Sequence, residues 1–249
     1  MAMIEITGLT YRYADGRIGL TDINLQIAGG SFVVLAGANG AGKSTLLKQL
    51  NGLLLPQTGT VSLDGVAVGA DLLRARRLVG MVFQDADSQI VGETVYDDAA
   101  FGPENLNWPR QRITESVAAA LELVGLGALA ERSPHLLSGG EKRRLAIAGV
   151  LAMQPEVIVL DEPFANLDYD GVRQVLAQIV ALHAAGRTII VSVHDLEKVL
   201  AHAERLIILQ KGRIAADGQP YQVIETAEEY GVRIPDAVRL GGRVESWLG

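Results

Sequence analysis

Short apolar runs along the chain predict strands that are buried on both faces. Three runs are the densest: Phe32–Ala36, Val157–Leu160 and Ile189–Val193. Strands of this kind belong to parallel sheets that are covered by helices on both sides. Ile4–Tyr13 alternates in a way that favours a half-buried strand, and Val61–Val68 predicts a hairpin around Asp64-Gly65, a frequent two-residue turn.

Helical spacing replaces this pattern in the middle third of the chain. Gly102-Pro103 and Trp108-Pro109 are expected to break regular structure. Apolar residues then recur at helical intervals until two glycines end the run: Ile113, Val117, Ala120, Leu121 and Val124, followed by Gly125 and Gly127. Ser138-Gly139-Gly140 predicts the start of a further helix that runs to about Ala152 and stops before Pro155. We therefore expect a helical insertion over Asp85–Gln154.

Strands and helices alternate again in the last third. The elements predicted outside the insertion are the helix Ser44–Leu50, the strand Val157–Leu160, the helix Val172–Ala185 closed by Gly186, and the strands Arg187–Val193 and Arg205–Leu209. Such alternation predicts an α/β protein with a parallel sheet and helices on its faces. The tail from Tyr221 onward predicts short helices that are broken at Pro235.

Composition narrows the class of protein further. The chain has 249 residues, of which 49% are apolar and 20% charged, so we expect one compact body with a subdomain. The net charge of −7 argues against sequence-independent binding of nucleic acid. The absence of cysteine excludes disulfides and thiolate metal sites. Met1–Tyr13 lacks the pattern of a signal peptide, and no apolar run approaches the roughly 20 residues of a membrane-spanning helix.

The strongest chemical signal is a glycine-rich segment, Gly37-Ala38-Asn39-Gly40-Ala41-Gly42-Lys43-Ser44-Thr45. It has the full P-loop pattern and lies between a predicted strand and a predicted helix, which is the context that this motif needs. The glycines let backbone N–H groups turn toward a polyphosphate, and the helix start adds its dipole. We expect Lys43 to reach the β- and γ-phosphates and Ser44 to bind Mg²⁺. The alternative is a plain glycine-rich turn.

Two adjacent carboxylates end the strand Val157–Leu160. Asp161 and Glu162 then lie at the carboxyl end of a buried strand, where open α/β sheets bind ligands. We expect Asp161 to orient Mg²⁺ through water and Glu162 to polarise an attacking water as general base. An apolar strand that ends in two acids is common by itself, and its position downstream of a P-loop favours the catalytic interpretation.

A third motif points to a family. Leu137-Ser138-Gly139-Gly140-Glu141 precedes the helix Lys142–Ala152, and alone it could be an ordinary helix cap. It lies between the P-loop and the acidic strand, however, and this order resembles the ABC ATPases, whose signature motif reads Leu-Ser-Gly-Gly-Gln. Glu141 stands where that motif has glutamine, a variant that the family tolerates.

The remaining ABC motifs are matched in order. Tyr13 stands where the family has an aromatic residue that stacks on adenine, with Tyr11 as the alternative, and Gln84 matches the glutamine that senses Mg²⁺ and the attacking water. Asn166-Leu167-Asp168 resembles the D-loop, although Phe164 stands where serine or threonine is commoner. His194 matches the histidine that contacts the γ-phosphate, whereas a lone histidine after a strand is more often structural. The resemblance covers roughly residues 4–220.

Within the family, the chain is most similar to the ATPases of energy-coupling factor (ECF) importers of vitamins or cobalt and nickel ions. The segments that carry this likeness are Gln84-Asp85-Ala86-Asp87-Ser88-Gln89-Ile90, Gly92-Glu93-Thr94-Val95, Phe101-Gly102-Pro103-Glu104-Asn105-Leu106 and Leu137–Leu151. In that group, the segment after the glutamine forms a groove for a coupling helix of a membrane scaffold protein. The corresponding residues here are about Asp85–Asp97, and the alternative is a loop of another importer class.

The resemblance implies a P-loop fold with a RecA-like core, an N-terminal antiparallel β subdomain and a helical signature subdomain. The expected ABC domain covers residues 1–220, with a core at 1–84 and 155–220 and the helical part at 85–154, before a helical tail at 221–249. ATP and Mg²⁺ are the implied ligands. Implied partners are a second ATPase chain, identical or paralogous, and membrane scaffold and substrate-binding subunits at the cytoplasmic face of the cell membrane, with no nucleic acid.

The same resemblance implies a shared catalytic site. Ser138, Gly139, Gly140 and Glu141 are expected to cap ATP that is held by the P-loop of a second chain, in a two-fold pair. Two alternatives remain. One is an ABC ATPase that acts on DNA or ribosomes, although the coiled-coil insertions, zinc cysteines and tandem cassettes of such chains are missing here. The other is a P-loop kinase or GTPase-like switch, which would not need the Ser-Gly-Gly motif.

Overall fold

Two sheets organise the fold. The computed structural model describes residues 2–249, and Met1, the first residue of the expected core, lies outside them. The strands of the described part are β1 (Ala2–Arg12), β2 (Ile18–Ala28), β3 (Phe32–Ala36), β4 (Thr58–Leu63), β5 (Val66–Ala67), β6 (Val79–Val82), β7 (Val157–Asp161), β8 (Thr188–Val193), β9 (Arg205–Gln210) and β10 (Arg213–Gly218). An antiparallel sheet has the order β2-β1-β4-β5, and the second sheet has the order β10-β9-β3-β8-β7-β6.

The second sheet is parallel except for β10 at its edge. Every residue of β3 and β7 is buried, which confirms the interpretation of their apolar runs. Val33 and Leu35 pack into the hydrophobic cluster on one side of this sheet, whereas Val34 packs into the cluster on the other side. This division follows from the alternation of side chains along a strand.

Helices cover the sheets and form a separate group. The α-helices of residues 2–249 are α1 (Lys43–Leu50), α2 (Leu72–Leu78), α3 (Val95–Asn105), α4 (Arg110–Leu123), α5 (Gly139–Ala152), α6 (Tyr169–Ala184), α7 (Pro220–Val223) and α8 (Asp236–Arg239). The helices α3, α4 and α5 pack against one another. The predicted helices at Ser44, after Pro109 and after Ser138 agree with α1, α4 and α5 within one or two residues.

The hairpin prediction at Asp64-Gly65 is confirmed. Leu63 pairs with Val66 across the turn, and both turn residues have positive φ, +47° for Asp64 and +77° for Gly65. These dihedral signs are those of a two-residue turn that matches the twist of the flanking strands. The strands β2, β6 and β10 and the helices α2 and α3 were not predicted from the sequence.

The prediction that Gly102-Pro103 breaks regular structure is wrong. Both residues lie inside α3, which continues to Asn105. Pro103 removes the one backbone hydrogen bond that would reach back to the Ala99 carbonyl, and the helix continues despite this loss. Gly102 brings α3 close to Met153, because a Cβ at this position would lie 2.7 Å from the Met153 Sδ. Packing against α5 therefore overrides the local preference.

The tail forms short helices, as predicted, and lies against the core. The helix α7 is followed by a 3₁₀ segment, Ile224–Tyr230, and Pro235 immediately precedes α8. The Trp247 ring lies 5.2 Å from the Tyr169 ring at the start of α6. Within the described range, none of the helices combines the length and the apolar character needed to cross a membrane.

Parallel strands bring distant parts of the chain to one edge. The carboxyl ends of β3, β6, β7 and β8 lead directly to Gly37, Phe83, Glu162 and His194, respectively. Ligands of open α/β sheets bind at this edge. The fold therefore places the main candidate residues side by side.

Candidate active site

The P-loop connects β3 to α1 through a backbone that needs glycine. Gly37 has φ of +152°, and a Cβ there would lie 2.4 Å from the carbonyl oxygen of Leu209. Gly42 has φ of +110°, and a Cβ there would lie 2.8 Å from the carbonyl oxygen of Gly19. Any side chain at either position would strain the backbone and collide with main-chain atoms. The glycines thus let the loop curl in front of the α1 N-terminus.

Lys43 is held at the base of this loop. Its Nζ donates a hydrogen bond to the Gly37 carbonyl at 2.7 Å and lies 3.6 Å from Oε1 of Glu162. Both side chains are about nine-tenths buried. A buried cation with one carbonyl and one carboxylate beside it is poised to exchange these partners for phosphate oxygens.

Glu162 is positioned by strained backbone and by β8. Its φ is +50°, a left-handed conformation that is rare for residues other than glycine. The Glu162 N–H donates to the carbonyl oxygen and to Oγ of Ser192, each at 3.1 Å. Such strain persists where the surrounding structure enforces it and is typical of functional sites.

His194 extends this arrangement from the end of β8. Its Nδ1 lies 2.8 Å from Oε2 of Glu162, and its side chain is 63% exposed. The Glu162 carboxylate thus lies between Lys43 on one oxygen and His194 on the other. The carboxylate is almost enclosed, whereas the histidine faces the open side, where a phosphate could reach it.

Tyr13 forms the outer wall of the cleft in which Lys43 and Glu162 lie. Its hydroxyl hydrogen-bonds the Thr45 hydroxyl at 2.6 Å, and the Tyr11 ring packs against its ring at 5.2 Å in an edge-to-face arrangement. The Arg17 guanidinium lies 5.4 Å from the Tyr13 ring centroid and is paired with Asp15 at 2.6 Å. Of the two candidate tyrosines, only Tyr13 is among the residues that line the cleft.

One cleft of about 680 Å³ joins these side chains. Its lining residues are Tyr13, Arg17, Ile18, Gly19, Asn39, Gly40, Ala41, Gly42, Lys43, Ser44, Thr45, Gln84, Glu162, Ala165 and His194. Four of them were not predicted: Arg17, Ile18, Gly19 and Ala165. Arg17 to Gly19 follow Tyr13 closely along the chain, so their proximity to a predicted aromatic residue is the signal that could have indicated them.

An adjoining groove contains the three predicted metal-binding residues. Ser44, Gln84 and Asp161 line it together, and Oδ1 of Asp161 accepts a hydrogen bond from the Ser192 hydroxyl at 2.5 Å. Hydroxyl, amide and carboxylate oxygens are the ligand types that suit Mg²⁺, which binds few protein groups beside phosphates and water. No group of three or more His, Asp or Glu residues in the described range forms a metal cluster by itself.

The Ser-Gly-Gly segment lies outside the Lys43 cleft. Ser138 caps α5: its N–H donates to Oε2 of Glu141 at 2.7 Å, and its Oγ accepts from the Glu141 N–H at 3.3 Å. These bonds to the Ser138 backbone and hydroxyl lower the pKa of Glu141. A Cβ on Gly139 would meet nothing within 4 Å. Packing within the chain therefore does not explain this glycine.

Asp168 also lies away from the cleft. It caps α6 by accepting a hydrogen bond from the Gly171 N–H at 2.8 Å, and the preceding Asn166 has φ of +59°. The structure thus assembles the P-loop, the aromatic wall, Gln84, Glu162 and His194 in one place. Ser138 to Glu141 and Asp168 are placed elsewhere on the surface.

Comparison with known proteins identifies the family. A family model described as ABC transporter matches residues 20–165. The chain belongs to the ABC transporter family. It is an ATP-binding cassette that hydrolyses ATP, and the resemblance noted in its motifs is confirmed.

Relatives of this ABC ATPase align over nearly its full length. The energy-coupling factor transporter ATP-binding protein EcfA of Methanothermobacter thermautotrophicus is 42% identical, over 97% of this chain and 80% of its own. The cobalt import ATP-binding protein CbiO of Rhodobacter capsulatus is 44% identical, over 96% of this chain and 87% of its own.

Solved structures confirm the fold of the cassette. The cbiO1 protein of Clostridium perfringens, described as part of the ABC transporter complex cbiONQ, has a TM-score of 0.82 at 35% identity and covers 96% of this chain and 98% of its own. A dimer of the ATP-binding cassette MJ0796 with ADP and Pi has a TM-score of 0.79 at 27% identity and covers 88% of this chain and 99% of its own.

Proposed function

We propose that this ABC ATPase is the nucleotide-binding subunit that powers an ECF-type importer of a vitamin or a transition-metal ion. The observation that carries the proposal is the near-complete alignment with relatives named for energy-coupling factor transport and for cobalt import, at 42% and 44% identity. Cargo would be selected by the membrane subunits, since the ATPase supplies only the energy of the cycle.

ATP would bind in the Lys43 cleft with its base against Tyr13. Lys43, Ser44 and the backbone N–H groups of the P-loop would hold the phosphates. Glu162 would polarise the attacking water as general base, and His194 would contact the γ-phosphate. The proximity of Lys43 and His194 to the two oxygens of Glu162 supports this assignment, because phosphate binding would draw both partners away and free the carboxylate.

Ser44, Gln84 and Asp161 would hold Mg²⁺ beside the phosphates. When bound, the ion would neutralise charge on the β- and γ-phosphates. Asp161 keeps one oxygen on the Ser192 hydroxyl, which fixes its orientation in the groove that it shares with Ser44 and Gln84. The oxygen ligands of all three residues support Mg²⁺ over softer metals.

A second ATPase chain, identical or paralogous, would complete each site. Ser138, Gly139, Gly140 and Glu141 lie on α5 outside their own Lys43 cleft, and the space in front of Gly139 is open. Two chains arranged head to tail would place each α5 N-terminus on the γ-phosphate held by the other chain, with Asp168 near the interface. Loss of that phosphate would loosen the pair, and this movement would drive a conformational change in the membrane subunits.

The membrane subunits would dock on the segment 85–97 that follows Gln84. This segment exposes 61% of Val91. An exposed apolar side chain in a polar loop suits a helix of a membrane scaffold. The cassette would thus be peripheral, at the cytoplasmic face of the membrane. The division into a core at 1–84 and 155–220, a helical part at 85–154 and a tail at 221–249 belongs to the same proposal.

Co-purification in mild detergent tests this function. Val91→Trp places a bulky ring in the docking segment, and we expect it to reduce recovery of the membrane subunits and transport while the ATPase activity of the purified chain persists. Leu240→Trp is the matched control, because Leu240 is 88% exposed on the tail. Normal assembly and transport by Val91→Trp would contradict this docking site, and wild-type protein without membrane partners would contradict the transport role.

A further inference from the structure

Arg143 bonds the loop that carries Gln84 directly to α5, the helix that follows Ser138 and is here called the signature helix. Its Nη1 donates to the Phe83 carbonyl at 2.7 Å, and its Nη2 donates to the Gln84 carbonyl at 2.6 Å. The residue lies on α5 and is only 5% exposed. Two hydrogen bonds to consecutive carbonyls fix both the position and the orientation of the peptide between them, because the guanidinium is a planar fork.

Other side chains hold the rest of this loop, here called the Gln84 loop (residues 83–94). Gln89 accepts from the Phe83 N–H at 2.9 Å and donates to the Met81 carbonyl at 3.1 Å. Asp98 accepts from the N–H groups of Val91 and Gly92 at 2.7 and 3.0 Å. The loop is therefore a defined structure. Arg143 is its buried tie to α5, beside the exposed ion pair between Lys142 and Asp87.

A charged side chain is unusual at a position as buried as that of Arg143. Its hydrogen bonds go to main-chain carbonyls, while Asp85 and Asp161 contribute only at longer range. Burial lowers the pKa of Arg143 from its usual value. Burying a cation is unfavourable unless its hydrogen bonds compensate, so an apolar residue would serve packing alone equally well. The two carbonyl bonds are the feature that an apolar residue cannot supply.

We infer that Arg143 is a positioning residue that makes the Gln84 loop and the signature helix move as one unit. This inference rests on the proposed function, in which Gln84 holds Mg²⁺ beside the ATP of its own chain and Ser138 contacts the ATP of the partner. Arg143 lies five positions after Ser138, which is about 7.5 Å along a rigid helix. A shift of Gln84 on one ATP is thus transmitted through Arg143 to the α5 end that caps the other ATP.

A double-mutant cycle tests this link. Arg143→Gln removes the fork, and we expect kcat for ATP hydrolysis to fall about tenfold while ATP affinity of the chain stays within about twofold. In a Gln84→Ala background, the same change should lower kcat by less than about twofold, because the loop no longer presents its side chain. Arg143→Lys retains one donor to a carbonyl and should give an intermediate kcat.

Lys142→Met is the matched control. Lys142 lies beside Arg143 but contacts the exposed carboxylate of Asp87 at 2.5 Å, and exposed ion pairs contribute little. We expect its kcat to stay near that of the wild type. Equal losses from Arg143→Gln with and without Gln84 would overturn the inference, as would a Lys142→Met loss of the same size.

Folding and the proposed function are controlled separately. If Arg143→Gln does not fold, the cycle is run with Arg143→Lys, whose smaller loss should still vanish in the Gln84→Ala background. Persistence of that loss would overturn the link. The wild type should hydrolyse ATP, and Glu162→Gln should stop that hydrolysis. This result would support the proposed active site even if the effects of the Arg143 and Gln84 substitutions on kcat were additive.

Discussion

The Nζ of Lys43 lies 3.6 Å from Oε1 of Glu162, so the P-loop cation and the proposed general base contact each other directly. The other carboxylate oxygen, Oε2, lies 2.8 Å from Nδ1 of His194. Both neighbours are groups that we propose to bind phosphate. Nucleotide binding would therefore change the surroundings of the base at the moment when water has to be activated.

Replacing Lys43 by alanine tests the phosphate site. We expect Lys43→Ala to weaken ATP binding by about 100-fold, because a charge-assisted bond to phosphate is lost in a buried site. Equilibrium binding of ATP to the purified chain measures this effect. Arg76→Ala is the control, since Arg76 is an exposed cation on α2 that lines neither the cleft nor the metal groove. Unchanged affinity of Lys43→Ala would remove the P-loop from the binding site.

Local continuity explains which parts of the site the sequence could predict. The P-loop residues are contiguous, and the strand before them and the helix after them have plain patterns. Glu162 and His194 each follow a buried strand, so the rule that ligands bind at strand ends places them together. Tyr13 has no such local signal and was predicted from the family resemblance.

Other features depend on packing that no local pattern encodes. In the sequence, Arg143 is one of three consecutive basic residues, Lys142-Arg143-Arg144. Only the folded chain shows that its guanidinium bonds the Phe83 and Gln84 carbonyls. Gly102-Pro103 reads as a break, but the approach of Met153 favours the helix. Arg17 joins the cleft because the turn after β1 folds it toward Tyr13.

The shared site can be tested by complementation. Ser138→Arg should leave ATP binding intact and stop hydrolysis, because a bulky cation would fill the space over the partner's γ-phosphate. Lys43→Ala should be inactive for the opposite reason, loss of its own phosphate site. A mixture of the two variants should regain activity, since each mixed pair contains one unaltered Lys43 cleft and one unaltered Ser138 cap. Full activity of Ser138→Arg alone would exclude the shared site.

The tail should make stability depend on pH through His202. Burial lowers the pKa of His202, whose Nε2 lies 3.0 Å from the Ser246 hydroxyl. The unfolded chain then binds a proton more readily than the folded chain. The resulting stability is fully present above the unfolded-state pKa of about 6.5 and is lost as pH falls toward the lower folded-state pKa.

Urea denaturation at pH 7.5 and 5.5 measures this dependence. We expect the free energy of unfolding to be lower at pH 5.5 than at pH 7.5 in the wild type. The decrease should be smaller in His202→Asn, which can still hydrogen-bond Ser246 but does not titrate. His135→Asn is the control, because His135 is exposed in a short 3₁₀ turn before α5, outside the tail. The same pH dependence in His202→Asn and the wild type would contradict this role of His202.

Glu162→Gln separates chemistry from binding. Glutamine keeps the size and hydrogen-bonding reach of the side chain but removes the basic carboxylate. Phosphates would still be held by Lys43, Ser44 and backbone N–H groups, so ATP binding should survive. General-base catalysis contributes about 10²–10⁴-fold, and turnover should fall by that order.

Stalled hydrolysis should also trap the closed pair. ATP-bound Glu162→Gln dimers should accumulate with ATP and Mg²⁺ and dissociate with ADP, which size-exclusion chromatography with light scattering detects directly. Asp161→Asn should instead weaken the pair, because Mg²⁺ binding supports the closed state itself. A Glu162→Gln protein that hydrolyses ATP at the wild-type rate would remove Glu162 from the mechanism. An inactive but monomeric Glu162→Gln protein would point to a paralogous partner. Its own phosphate site would be intact, and a second copy of the chain would not supply the surface needed to close on it.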